Sequence, residues 1–136
     1  MKQRPLTDEE RNLLVTYRIQ RAKETLLEAD NLIKAGFFNA VVNRLYYACY
    51  YAVIALLIKN NIVAHTHQGV KQMLSLHFIR NNKISKQYSI FYGRLFNDRI
   101  SGDYDDFICY DSDMIAALRP QAEEFISFIE KELAQG

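Results

Sequence analysis

Between Asn31 and Asn97 the chain contains no aspartate and no glutamate. The same stretch holds Lys34, Arg44, Lys59, Lys71, Arg80, Lys83, Lys86 and Arg94, and all three histidines. From Asp98 onward the sign reverses, with ten acids against Arg99, Arg119 and Lys131. The net charge of +1 conceals this asymmetry. It suggests either a basic surface that meets a polyanion or two halves that neutralise each other, within one chain or across a dimer. Glycine (five) and proline (two) are scarce, which excludes a turn-rich or disordered chain. The two cysteines, Cys49 and Cys109, have neither CxxC nor metal spacing, so no disulfide framework is expected and a reducing cytoplasm is the simplest compartment. The charged N-terminus MKQRPLTDEE has no apolar segment behind it and does not read as a secretory leader. At 136 residues one domain, 1–136, can bury a continuous core, with residues 1–6 expected to be flexible.

What the chain does have is one long apolar stretch. Phe37 to Ile58 reads FFNAVVNRLYYACYYAVIALLI, in which only Asn39, Asn43 and Arg44 are not apolar or aromatic. Its unbroken apolar run, Leu45 to Ile58, is 14 residues against the roughly 20 a bilayer needs, so it is expected at the centre of a soluble bundle rather than in a membrane. Arg44 is the difficult residue. A guanidinium keeps its charge and carries five donors, so if buried it must find acceptors. Tyr47 and Tyr51 share its helical face, which makes the trio either a structural knot or one wall of an anion-binding cleft.

The other segments read as helices of ordinary kind. Thr7 with Glu10 forms a capping box, and Val15, Ile19, Ala22, Leu26, Ala29 and Ile33 make a heptad seam, widened by Leu14, Leu27 and Leu32 and closed by Gly36. Asp30 and Lys34 are spaced for an i,i+4 pair. Thr66 can cap a short helix from about His67 to Ile79, with Val70, Met73, Leu74 and Phe78 inward. Ser85 can cap the next, with Ile84, Tyr88, Phe91 and Leu95 inward and an end near Ser101-Gly102. Asp103 to Asp113 reads as an acidic, aromatic loop. The last helix starts near Ser112, with Ile115, Leu118, Ala122, Phe125, Ile129 and Leu133 as its stripe, and Pro120 is expected to kink or break it. The fold class is all-α, an antiparallel up-and-down four-helix bundle with an additional short helix.

Taken singly, the reactive side chains carry little. His65 and His67 could chelate a metal, but capping or surface roles suit them better, and no metal site is expected. The aspartates Asp103, Asp105, Asp106, Asp111 and Asp113 lack the EF-hand spacing and read as a solvated loop, although Asp103 could reach an arginine across the bundle. Ser101 has no nucleophile elbow around it. Tyr46, Tyr47, Tyr50 and Tyr51 could stack bases or fill the core.

Together, NRLYYACYYAVIALL (Asn43–Leu57), His67-Gln68-Gly69-Val70 and Arg99-Ile100-Ser101-Gly102-Asp103-Tyr104 resemble a HEPN domain of the small stand-alone prokaryotic kind, with an RxYYAxxYA second helix and an RxxGDY element. The resemblance spans roughly residues 12–134. It implies a helical bundle that forms a homodimer, binds nucleotide or RNA, and pairs with a minimal nucleotidyltransferase in a toxin–antitoxin-like system. It also implies that Arg99 lines a cleft at the dimer interface, as a candidate catalytic cation, with Arg44 and Tyr47 nearby. One departure bears on activity. Ribonucleases of that family carry an Arg followed four to six residues later by His, and no arginine here has one; Tyr104, Asp105 and Asp106 stand in the corresponding places after Arg99. The general acid/base is missing from its expected position.

The expectation is therefore a cofactor-free nucleotide- or RNA-binding module, not an efficient ribonuclease, with Arg44, Tyr47, Tyr51, His67, Arg99, Asp103 and Tyr104 as its binding residues. Two alternatives remain at this level: a metal-independent ribonuclease with a rearranged site, for which His65 or His67 could substitute across a dimer, and a purely structural bundle in which Arg44 and Asp103 form a buried ion pair.

Overall fold

The computed structural model describes residues 4–104 and 109–135, with the backbone alone for 100–104. Five helices follow one another: α1 (Asp8–Ala35), α2 (Phe38–Lys59), α3 (His67–Leu74), α4 (Lys86–Tyr104) and α5 (Ser112–Gln135). No strand occurs among the described residues. A five-residue π-helical turn, Ser75–Ile79, continues α3.

The boundaries follow from local chemistry. The Thr7 hydroxyl accepts from the Glu10 amide while the Glu10 carboxylate accepts from the Thr7 amide, closing the capping box that starts α1. Arg4 forks onto the same carboxylate at 2.7 Å, and Glu10 is held down to a pKa of about 2, first by that arginine. Gly36, at φ 81°, ends α1 in the left-handed conformation that glycine adopts without a Cβ penalty. Its amide and that of Phe37 satisfy the Ile33 and Leu32 carbonyls. The Thr66 hydroxyl caps α3 by accepting from the Gly69 amide at 2.8 Å.

α2 is the core helix. It packs along the length of α1 and is flanked by α5 and α4, while α3 leans on α2 and α4. Val41, Leu45, Tyr46, Ala48, Cys49, Ala52, Val53 and Ala55 are fully buried along it. Ala22 and Ala29 of α1 are equally buried, and small side chains on both helices let their backbones approach closely. By length and composition α2 could cross a bilayer, yet 61% of its most apolar window is buried inside the protein. From α4, Phe91, Tyr92, Leu95 and Phe96 enter the core, and from α5 come Ile115, Leu118, Ala122, Phe125, Ile126 and Ile129.

Several expectations need correction. Leu27 does not widen the α1 seam; its side chain is 62% exposed. Asp30 does not take Lys34 as its hydrogen-bonded partner. Its two carboxylate oxygens accept from Arg119 of α5, both at 2.9 Å, because a planar guanidinium offers a two-pronged match that a lysine cannot. α4 runs past Gly102 to Tyr104, so the expected loop from Asp103 is shorter; residues 105–108 of it lie outside the described residues. α5 passes through Pro120 without a break. Pro120 and Ala116, whose carbonyl loses its donor, both face solvent, where water can replace the missing hydrogen bond.

Candidate phosphate-binding face

Four tyrosines of α2, at 46, 47, 50 and 51, occupy one broad face because i, i+1, i+4 and i+5 fall together on a helix. Tyr46 is fully buried, and its ring meets those of Tyr92 and Phe96 from α4 at 5.8 and 6.1 Å. Tyr47, Tyr50 and Tyr51 are half-buried and form a run of adjoining rings, with centroid separations of 5.9–6.2 Å. The buried end anchors this run and the outer rings form a surface.

The first residue of α3 comes down on that surface. The His67 imidazole lies 4.6 Å from the Tyr50 ring and 5.7 Å from those of Tyr46 and Tyr47. Its Nδ1 is 2.9 Å from the Tyr46 hydroxyl. Burial pushes the Tyr46 phenol up to about 12, against opposing effects of the Tyr92 hydroxyl and the Arg99 charge, so Tyr46 keeps its proton. His67 shifts the other way: its pKa is lowered, first by burial and then by Arg99, which keeps the ring neutral near pH 7. In the tautomer in which Tyr46 donates to Nδ1, the neutral imidazole carries its own proton on Nε2. His67 is then held by a hydroxyl at one nitrogen and presents a donor at the other.

Arg99, from the last turns of α4, reaches the same rings. Its guanidinium carbon is 4.9 Å from the Tyr46 centroid and 5.9 Å from that of Tyr47. Its Nε is buried and has no hydrogen-bond partner, and no carboxylate pairs with it among the described residues. A buried donor left unsatisfied costs about 1–3 kcal/mol, and an incoming acceptor would recover part of that. At the other end of the run, Arg18 of α1 shows the same pattern. Its guanidinium lies 6.0 Å from the Tyr51 ring and 5.7 Å from that of Tyr17, with a buried, unpartnered Nε. Arg21 and Arg44 also stack, on Tyr51 at 5.5 Å and Tyr47 at 5.2 Å, but Glu24 and Glu28 neutralise them.

The expected site residues thus divide. Arg99, His67 and Tyr47 come together, and Tyr51 extends their surface. His67 and Arg99 share the Tyr46 and Tyr47 rings within a single chain, where the sequence reading had offered His65 or His67 as a substitute across a dimer. Arg44 touches Tyr47 as its spacing implied, but it is not the buried cation expected from its apolar surroundings. It lies near the start of α2, and its side chain, 30% exposed, reaches out to Glu28 of α1 at 3.3 Å and to the Asn43 side chain at 2.9 Å. Among the described residues its carboxylate partner is Glu28, and the expected pairing with Asp103 falls on a side chain outside them. The side chains of Asp103 and Tyr104 lie outside the described residues. His65 and His77 are exposed, and no group of three or more His, Cys, Asp or Glu gathers among the described residues.

Sequence reasoning weighed Tyr46 and Tyr50 only as base-stacking or core rings and passed over Arg18. Tyr46 and Tyr50 are an i,i+4 pair, so their shared face was legible. Arg18 had only its neighbour Tyr17, since its place opposite Tyr51 depends on the packing of α1 against α2.

Comparison with known proteins agrees with the fold. A protein of Thermotoga maritima named as a UPF0332 protein is 33% identical over 122 residues, covering 90% of this chain and 92% of its own length. A protein of Methanocaldococcus jannaschii named as a candidate toxin is 32% identical over 87 residues, 64% of this chain and 59% of its own. A UPF0332 protein of Pyrococcus horikoshii is 32% identical over 71 residues, about half of each chain. The model of the HEPN domain family matches residues 15–133, nearly the whole bundle including α2, His67 and Arg99, and the chain belongs to that family.

Proposed function

We propose that this HEPN protein is a toxin-like module that binds the phosphate of a nucleotide or RNA on the tyrosine face of α2. The observation that carries the reading is Arg99: a guanidinium set on two aromatic rings, with a buried Nε–H that finds no acceptor and no neutralising carboxylate among the described residues. Such a cation beside a neutral imidazole that presents an Nε2–H matches a phosphate, which takes charge from the arginine and a hydrogen bond from the histidine. The half-exposed rings of Tyr47, Tyr50 and Tyr51 give a base somewhere to stack. From the acid-free stretch Lys71 adds positive charge nearby, over the Phe96 ring that meets Tyr46. Family membership and the candidate-toxin relative support a toxin-like role, and we propose that the chain acts as a homodimer beside a minimal nucleotidyltransferase in a toxin–antitoxin-like system. Titrating short RNA and ATP at low salt tests it. Binding that weakens with salt and with Arg99→Ala or His67→Ala supports the reading, whereas binding indifferent to both substitutions contradicts it.

A second reading, the ribonuclease with a rearranged site, is favoured by one contact. His67 shares the rings of Tyr46 and Tyr47 with Arg99, so an imidazole stands beside the cation although the motif histidine is missing. In that reading Arg99 grips the phosphodiester and His67 moves a proton. RNA cleavage that survives EDTA and disappears in both Arg99→Ala and His67→Ala would establish it.

A further inference from the structure

Two guanidiniums on this face, Arg99 and Arg18, have a buried Nε without an acceptor, and they sit at opposite ends of the tyrosine run. Arg99 lies over Tyr46 and Tyr47, and Arg18 over Tyr51 and Tyr17. Between them, Tyr47, Tyr50 and Tyr51 are half-exposed, and Tyr17, beside Arg18, is 55% exposed. The neighbouring cations do not compete, because Arg21 is paired with Glu24 at 2.8 Å and Arg44 with Glu28 at 3.3 Å. We infer that Arg18, with Tyr17 and Tyr51, forms a second phosphate subsite, and that the ligand is a single-stranded oligonucleotide lying across the tyrosines from Arg18 to Arg99. This rests on the phosphate reading of Arg99 given above and narrows it.

The chemistry selects the strand. A nucleoside monophosphate brings one phosphate and engages one guanidinium, whereas a phosphodiester chain brings an anion to each end of the run. A duplex keeps its bases stacked on one another, and the rings of Tyr47, Tyr50 and Tyr51 then have nothing to receive. A single strand can splay its bases onto aromatic faces while the arginines hold its backbone. Arg18 also suits this role structurally: its guanidinium lies over the Tyr51 and Tyr17 rings, and its charge has no ion pair among the described residues.

The test compares AMP, ATP, a short single-stranded RNA and a duplex of equal length, on wild type, Arg18→Met and Arg99→Ala. Arg18→Met keeps the apolar stem against Tyr51, and a far-ultraviolet melting curve confirms that the variant is folded. The single strand is expected to bind Arg18→Met about tenfold more weakly at low salt. The slope of log affinity against log salt should fall by about 0.7, the value for one phosphate contact on a single strand. Arg18→Met should reduce AMP affinity less than it reduces strand affinity and less than Arg99→Ala reduces AMP affinity, and the duplex should bind wild type more weakly than the strand. Equal loss of AMP and RNA in Arg18→Met, no loss of either, or a duplex preference overturns the inference while leaving Arg99 intact as a phosphate site. An ATP loss matching that of the strand assigns Arg18 to a polyphosphate tail and likewise overturns it. Indifference of every ligand to Arg99→Ala removes both this inference and the reading on which it rests.

Discussion

Arg99 acts on His67 through space. Burial is the larger cause that lowers the His67 pKa and the Arg99 charge is the second, so removing the charge should raise it. An NMR titration of His67 in Arg99→Ala is expected to show a higher pKa than in wild type; an unchanged or lower value would separate the two residues. The stability sign follows from the same shift. Because the folded pKa lies below the unfolded value, this contribution is complete above the unfolded pKa near 6.5 and declines as pH falls from there through the folded pKa. A bound phosphate reverses the preference by favouring imidazolium, so affinity should rise as the pH is lowered through the same window. Tyr92 gives a residue-scale contrast. Its hydroxyl is buried without a partner in ordinary hydrogen-bond geometry, and Tyr92→Phe should leave stability unchanged or raise it by up to about 1 kcal/mol in a denaturant melt. Tyr46→Phe is different, because it frees His67 Nδ1 and should weaken phosphate binding.

At the scale of the element, α3 exists to set His67. Thr66 caps it through the Gly69 amide, and a Cβ on Gly69 would meet the Thr66 hydroxyl oxygen at 3.0 Å. Gly69→Ala is therefore expected to disturb the cap, at a cost of about 1 kcal/mol, and to displace His67 from Tyr50. Thermal melts give the first effect and the His67 chemical shifts the second; a variant unchanged in both would contradict this role for α3. The cap was legible in the sequence as Thr66, and so were the capping box, the Gly36 stop and most of the inward stripes, because caps and periodicity are local. What lay beyond reach was lateral. Neither the bidentate Asp30–Arg119 link nor the meeting of Glu28 with Arg44 can be read from spacing along one helix, since each depends on how two helices pack. The break expected at Pro120 does not occur, for a related reason: the loss of a backbone hydrogen bond was read correctly, but the solvent exposure that tolerates it was not visible.

For the molecule as a whole, α2 is both the core and the floor of the site, so fold and function share one helix. That helix was legible from its composition alone. The site on it was only partly so: Arg99, Tyr47 and His67 could be named from motif order, while Arg18 and Tyr46 emerge from packing. The outer helices are clamped by Asp30–Arg119, in which the arginine holds the Asp30 carboxyl below its usual range. That contribution is present above the unfolded carboxylate pKa and lost as pH falls through the lower folded value. Asp30→Asn should thus lower stability by about 1 kcal/mol at neutral pH and flatten its acid dependence in urea melts taken from pH 6 to pH 2. An undiminished acid slope would assign that dependence to other carboxylates. The central claim is that Arg99 is an anion site and not a structural cation. The most direct measurement is a titration of folded wild type and Arg99→Ala with short RNA and with ATP at low and moderate salt. Salt-sensitive binding by wild type, lost in Arg99→Ala, is the predicted result; equal affinity in the two proteins, or no binding by either, contradicts it.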